Sequence, residues 1–78
     1  MSLEQSILVI DDEAEIGEAL KIVLEGEGYE VATETDSVAA IERICEREFA
    51  VVITDIRMSG ADGYRVIEET RRRWPDTQ

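Results

Sequence analysis

Two runs of apolar, mostly β-branched residues constrain this chain more than anything else in it. They are "SILVI", from Ser6 to Ile10, and "FAVVIT", from Phe49 to Thr54. Both are continuous rather than alternating, the pattern of a strand buried on both faces. Both then run straight into acids, the first into Asp11, Asp12 and Glu13, the second into Asp55. A carboxylate resists burial unless a counter-ion or hydrogen bonds offset its lost hydration. Two buried strands that end on aspartates therefore look like rigid mounts for acids carried at their tips.

The segments between and after these runs complete an alternating order. Ile16, Ala19, Leu20, Val23 and Leu24 form one apolar stripe at helical spacing, which predicts a helix over about Ala14 to Glu25, closed by a left-handed Gly26 or Gly28. "YEVATE", Tyr29 to Glu34, alternates as a strand. Asp36 or Ser37 offers an oxygen to cap a second helix, with Val38, Ile41, Ile44 and Cys45 inward. Asp62 stands as cap of a third helix that runs to about Arg73, with Val66, Ile67 and Thr70 inward and Trp74-Pro75 as its stop. The order β-α-β-α-β-α implies an α/β fold with parallel strands joined by right-handed crossovers.

In such sheets ligands bind beyond the carboxyl ends of the strands, where the strand order reverses. If the second and third strands flank the first, the first and third are neighbours about 4.8 Å apart. Asp11, Asp12 and Asp55 then share one pocket. Three crowded carboxylates repel, and a cation relieves the repulsion. Oxygen donors with positions left for water suit Mg²⁺, and a divalent ion beside a carboxylate suits phosphoryl transfer because it offsets charge on the phosphoryl oxygens.

Charge and cysteine usage narrow the partners. The 78 residues carry a net charge of −11. Residues 1–36 hold eleven acids against Lys21 alone. Such a surface repels nucleic acid and anionic membranes, so neither is expected as a direct partner. Cys45, the one cysteine, excludes an internal disulfide and fits a reducing cytoplasm; on its helix stripe it reads as a small core residue. No apolar run approaches the roughly 20 residues of a membrane span, and no secretory signal is expected.

At its acidic strand ends the chain resembles the receiver domain of two-component response regulators. The residues that carry the likeness are "ILVIDDEAEI" and, farther on, "VVITDIRMSGADG". The likeness spans essentially residues 1–78 and implies a flavodoxin-like parallel sheet in the order 2-1-3. It implies Asp55 as phosphoacceptor, served by a histidine kinase or phosphotransfer protein. It also implies Mg²⁺ held directly by Asp12, Asp55 and the backbone carbonyl of Arg57, with Asp11 acting mainly through water. Ser59 stands where the family usually has proline, which implies a looser turn. Family domains continue through two more strands and helices, so the expectation is a receiver truncated before strand four, without the hydroxyl, lysine and switch aromatic that respond to the phosphoryl group.

Each feature also has a plainer reading. Asp11-Asp12 alone suits a solvated turn and helix cap; the addition of Asp55 shifts the balance. Glu13 is favourable charge in a first helical turn, and Arg71, Arg72 and Arg73 are cations at a helix C-terminus. Two other functions remain open: a switch-incompetent receiver acting as a binding or dimerisation piece, and an aspartate-nucleophile phosphatase, for which Asp11-Asp12-Glu13 is a poor match to the Asp-x-Asp such enzymes favour. A third strand left as an edge, with no charge in "AVVIT" to blunt it, predicts a two-fold homodimer through that edge and the uncovered sheet face.

Overall fold

A computed structural model describes residues 5–55 and 63–78. The elements are β1 (Ser6–Ile10), α1 (Ala14–Gly26), β2 (Glu30–Glu34), α2 (Ser37–Glu46), β3 (Val51–Thr54) and α3 (Gly63–Arg73). The strands form one parallel sheet in the order β2-β1-β3, as expected from the sequence. β1 is central, and Leu8 lies between Ala32 and Val52. Every residue of β1 is accordingly buried.

The first crossover runs from β1 out to β2 and the second runs back from β2 across β1 to β3, so the two move in opposite directions along the sheet and their helices fall on opposite faces. On one face Ile7, Val9 and Val31 pack with Leu20 and Leu24 of α1. On the other, Leu8 and Ile10 pack with Ala40 and Ile44 of α2, Val66 of α3 and Phe49.

The helix faces differ in part from those read off the sequence. In α1 the buried side is Gly17 with half-buried Leu20 and Leu24, while Ile16 and Val23 are 42% and 63% exposed. The apolar stripe of α1 is wider than the strip of sheet beneath it, because the helix lies mainly over β2 and β1. In α2, Ser37, Ala40 and Ile44 face inward with Ile41 half-buried, whereas Val38 is 50% exposed and Cys45 is exposed. Cys45 is therefore not a core residue. The small side chains of Ser37 and Ala40 set the line of closest approach, and that line turns position 45 outward. In α3 the expected face holds, with Val66 and Thr70 buried and Ile67 half-buried. β3 starts two residues later than the apolar run and is not buried on both faces: Ile53 is 39% exposed on the side that α1 leaves uncovered.

The ends of the helices are tied down. Asp36 caps α2 by accepting the Ala39 N–H (3.3 Å). Gly28, at φ +95°, lets the chain leave α1, and its N–H donates to the Glu25 carbonyl. After α3, the Trp74 indole donates to the Ile44 carbonyl (2.7 Å) and the Thr77 hydroxyl to the Phe49 carbonyl (2.7 Å). The Gln78 N–H donates to the Ala50 carbonyl and its carbonyl accepts from the Val52 N–H, each at 3.0 Å. The outer edge of β3 is thus partly paired by the chain itself, among the described residues at the Ala50–Val52 level. Two ion pairs, Arg43–Glu34 and Arg47–Glu30, fasten α2 to β2, and the Arg47 guanidinium lies 4.5 Å from the Phe49 ring centre. No helix among the described residues is long and apolar enough to cross a membrane.

Candidate functional site

The three acids singled out in the sequence come together. The Asp11 N–H donates to the Glu34 carbonyl (3.1 Å), one rung past the end of β1. The Asp55 N–H donates to the Ile10 carbonyl (2.9 Å), one rung past the end of β3. The sheet ladder therefore positions both backbones although neither residue belongs to a strand. Asp12 sits in the short connection to α1, exposed, while Asp11 and Asp55 are half-buried.

One carboxylate oxygen from each of Asp11, Asp12 and Asp55 lies within 4.8 Å of the others. Six oxygens at 2.0–2.1 Å from an Mg²⁺ ion stand about 3 Å apart at right angles and about 4 Å apart across the ion. Oxygens up to 4.8 Å apart stand slightly wider than that and would draw in around a single cation, and the donors are all of the oxygen type a hard ion prefers. The carbonyl expected from Arg57 lies outside the described residues, as do Met58, Ser59 and Asp62.

Asp11 has a second task, the turn at the start of α1 that its plainer reading in the sequence named. Its Oδ1 accepts the Glu13 N–H (2.9 Å), and Glu13, the residue at the cap of α1, makes no side-chain cap bond of its own. The spacing of Asp11 and Glu13 is that of a turn closed by an aspartate side chain, which was the signal available. Thr54 was missed altogether: its hydroxyl donates to the Asp55 carbonyl (2.9 Å). Away from the acids, an open cleft of about 690 Å³ is bounded by β3, α3 and the C-terminal tail, with Val52, Thr54, Ile67 and Arg71 among its walls.

Solved structures share this fold. The response regulator TrrA from Thermotoga maritima, solved in complex with Mg²⁺-BeF, is similar at a TM-score of 0.85 and 39% identity, over 92% of this chain and 63% of that one. A chain in the complex of the histidine kinase ThkA with TrrA is similar at a TM-score of 0.86 and 38% identity, over 95% of this chain and 64% of that one. A response regulator receiver domain protein from Clostridium thermocellum follows at 0.83 and 36%, over 90% and 57%. The chain thus spans about three-fifths of the length of these solved chains. The model of the response regulator receiver domain matches residues 7–78. With the sheet order, the strand-end acids and this match in agreement, the chain belongs to the response regulator receiver domain family of two-component signalling systems.

Proposed function

We propose that this chain is a phosphoacceptor that takes a phosphoryl group onto Asp55 from the phosphohistidine of a histidine kinase or phosphotransfer protein. The observation that carries the reading is the meeting of Asp11, Asp12 and Asp55 at the ends of β1 and β3. An Asp55 carboxylate oxygen attacks phosphorus in line. The O–P bond forms as the P–N bond to the donor histidine breaks, and the bonding pair returns to the imidazole nitrogen, which is reprotonated from water. Asp12, Asp55 and the Arg57 carbonyl would hold Mg²⁺ directly, and Asp11 would hold it through water. When bound, the ion offsets charge on the phosphoryl oxygens. Asp55 is consumed in each transfer, so the chemistry is confined to the protein's own aspartate and the role is signalling rather than turnover. The complexes of TrrA with Mg²⁺-BeF and with the histidine kinase ThkA support the same reading, in which the module works in the cytoplasm.

Incubation with acetyl phosphate and Mg²⁺, followed by weighing the intact protein, tests this. A gain of one phosphoryl group that Asp55→Asn abolishes is the expected result; no gain in the wild type overturns it. For the metal, Asp12→Ala should weaken Mg²⁺ binding more than Asp11→Ala. Equal affinity in the wild type and the double variant would remove the ligand assignment.

A second reading, self-association, is favoured by the exposed Ile16, Val23 and Ile53 on the α1 side of the sheet. Two copies would meet through this face and the part of the outer edge of β3 past Val52, which Gln78 does not pair. Each carries a net charge of −11, so association should strengthen as salt screens the repulsion. Sedimentation of mass-verified protein decides it: a monomer at high concentration and high salt excludes the dimer.

A further inference from the structure

We infer that Thr54 is a positioning residue for Asp55, and that its hydroxyl rather than its bulk aims the acid. The inference rests on the phosphoacceptor reading of Asp55, but its first test does not. Asp55 is the residue immediately after β3. The ladder holds its amide, through the 2.9 Å bond to the Ile10 carbonyl. Its carbonyl is held by the Thr54 hydroxyl, at 2.9 Å. These two bonds anchor the peptide planes on either side of the Asp55 α-carbon. With both planes fixed, tetrahedral geometry fixes the direction of the Cα–Cβ bond, and because the allowed side-chain rotamers depend on the backbone torsions, the same bonds narrow the χ1 torsion and so the approach of the carboxylate to Asp11 and Asp12. Thr54 is itself braced, because it pairs with Ile10 in the β1–β3 register and is half-buried between the strand edge and the cleft beside α3. A hydroxyl so placed extends the ordering of the strand by one residue, to the residue that does the chemistry.

Thr54→Val keeps shape and β-branching and deletes the donor; Thr54→Ser keeps the donor and trims a methyl. Three-bond couplings at the Asp55 β-protons read the side-chain torsion directly. One rotamer is expected in the wild type and Thr54→Ser, and averaging in Thr54→Val. Mg²⁺ affinity and the rate of phosphoryl gain from acetyl phosphate should each fall about two- to tenfold in Thr54→Val and recover in Thr54→Ser, the range set by one neutral hydrogen bond. The thermal midpoint of Thr54→Val should stay close to that of the wild type, which separates positioning from a loss of folding. A single Asp55 rotamer in Thr54→Val overturns the inference. So does a Thr54→Ser variant as impaired as Thr54→Val, since that would assign the effect to the methyl group. If the wild type accepts no phosphoryl group, the phosphoacceptor reading fails on its own, and the couplings still decide the role of Thr54.

Discussion

On the α2–α3 side of the sheet, Leu8, Ile10, Ala40, Ile44, Phe49 and Val66 are all buried, and Trp74 closes the end of the layer. On the α1 side, one helix covers Ile7, Val9 and Val31, while Ile16, Ile22, Val23 and Ile53 remain exposed. The difference does not reach β1, which is sealed on both faces. It falls on β3. Asp11 therefore extends a fully packed strand, and Asp55 extends a half-covered one. The first acid has that packing beneath it as well as its own hydrogen bonds, to the Glu34 carbonyl and from the Glu13 N–H. The second depends more on specific hydrogen bonds, from its amide to Ile10 and from Thr54 to its carbonyl.

Substitutions on the two faces should separate accordingly. The largest effect is expected for Ile44→Ala, which opens a cavity in the sealed layer and should cost about 2–4 kcal/mol, a large share of the stability of a domain this small. Leu24→Ala, on half-buried α1, should cost distinctly less, about 1–2 kcal/mol. Urea unfolding of both variants measures the contrast, and equal losses would show that the α1 side is as tightly closed as the other. Next in size is Trp74→Phe. A smaller phenyl ring replaces the indole and the N–H to the Ile44 carbonyl (2.7 Å) is lost, which should cost about 1 kcal/mol. A neutral outcome would mean that the aromatic body alone closes the layer. The smallest effect is expected for Val23→Ser, at 63% exposure: within about 0.5 kcal/mol of wild type in unfolding measurements on dilute protein. A loss above 1 kcal/mol there would place Val23 inside a contact. If the α1 side joins two copies, the same substitution should lower self-association at high protein concentration and salt.

Much of this fold was legible because its signals are local. Continuous β-branched runs, a stripe at helical spacing and acids directly after strands each name an element or its end within a few residues. That is why Asp11, Asp12 and Asp55 were identifiable before any coordinates, and why Asp36 and Gly28 were among the named helix caps. The inward faces of α1 and α2 were less legible. Periodicity reports which residues are apolar, not how wide a strip of sheet lies beneath them, so Ile16, Ala19, Val23, Val38 and Cys45 read as inward and lie outward.

The sequence by itself determined the alternation of elements, the acids at the strand tips and the family to which those motifs point. Each depends on near neighbours along the chain and on backbone preferences that operate wherever the segment lies. Only the tertiary structure decided that the three carboxylates lie within 4.8 Å of one another, because that distance depends on β1 and β3 pairing across 43 intervening residues between Asp11 and Asp55. It also decided that Gln78 returns to the edge of β3, that Trp74 joins α3 to α2, and that the Thr54 hydroxyl turns onto the Asp55 carbonyl. These are directional hydrogen bonds. Their existence depends on where two atoms arrive in space, and residue type and spacing alone do not specify that.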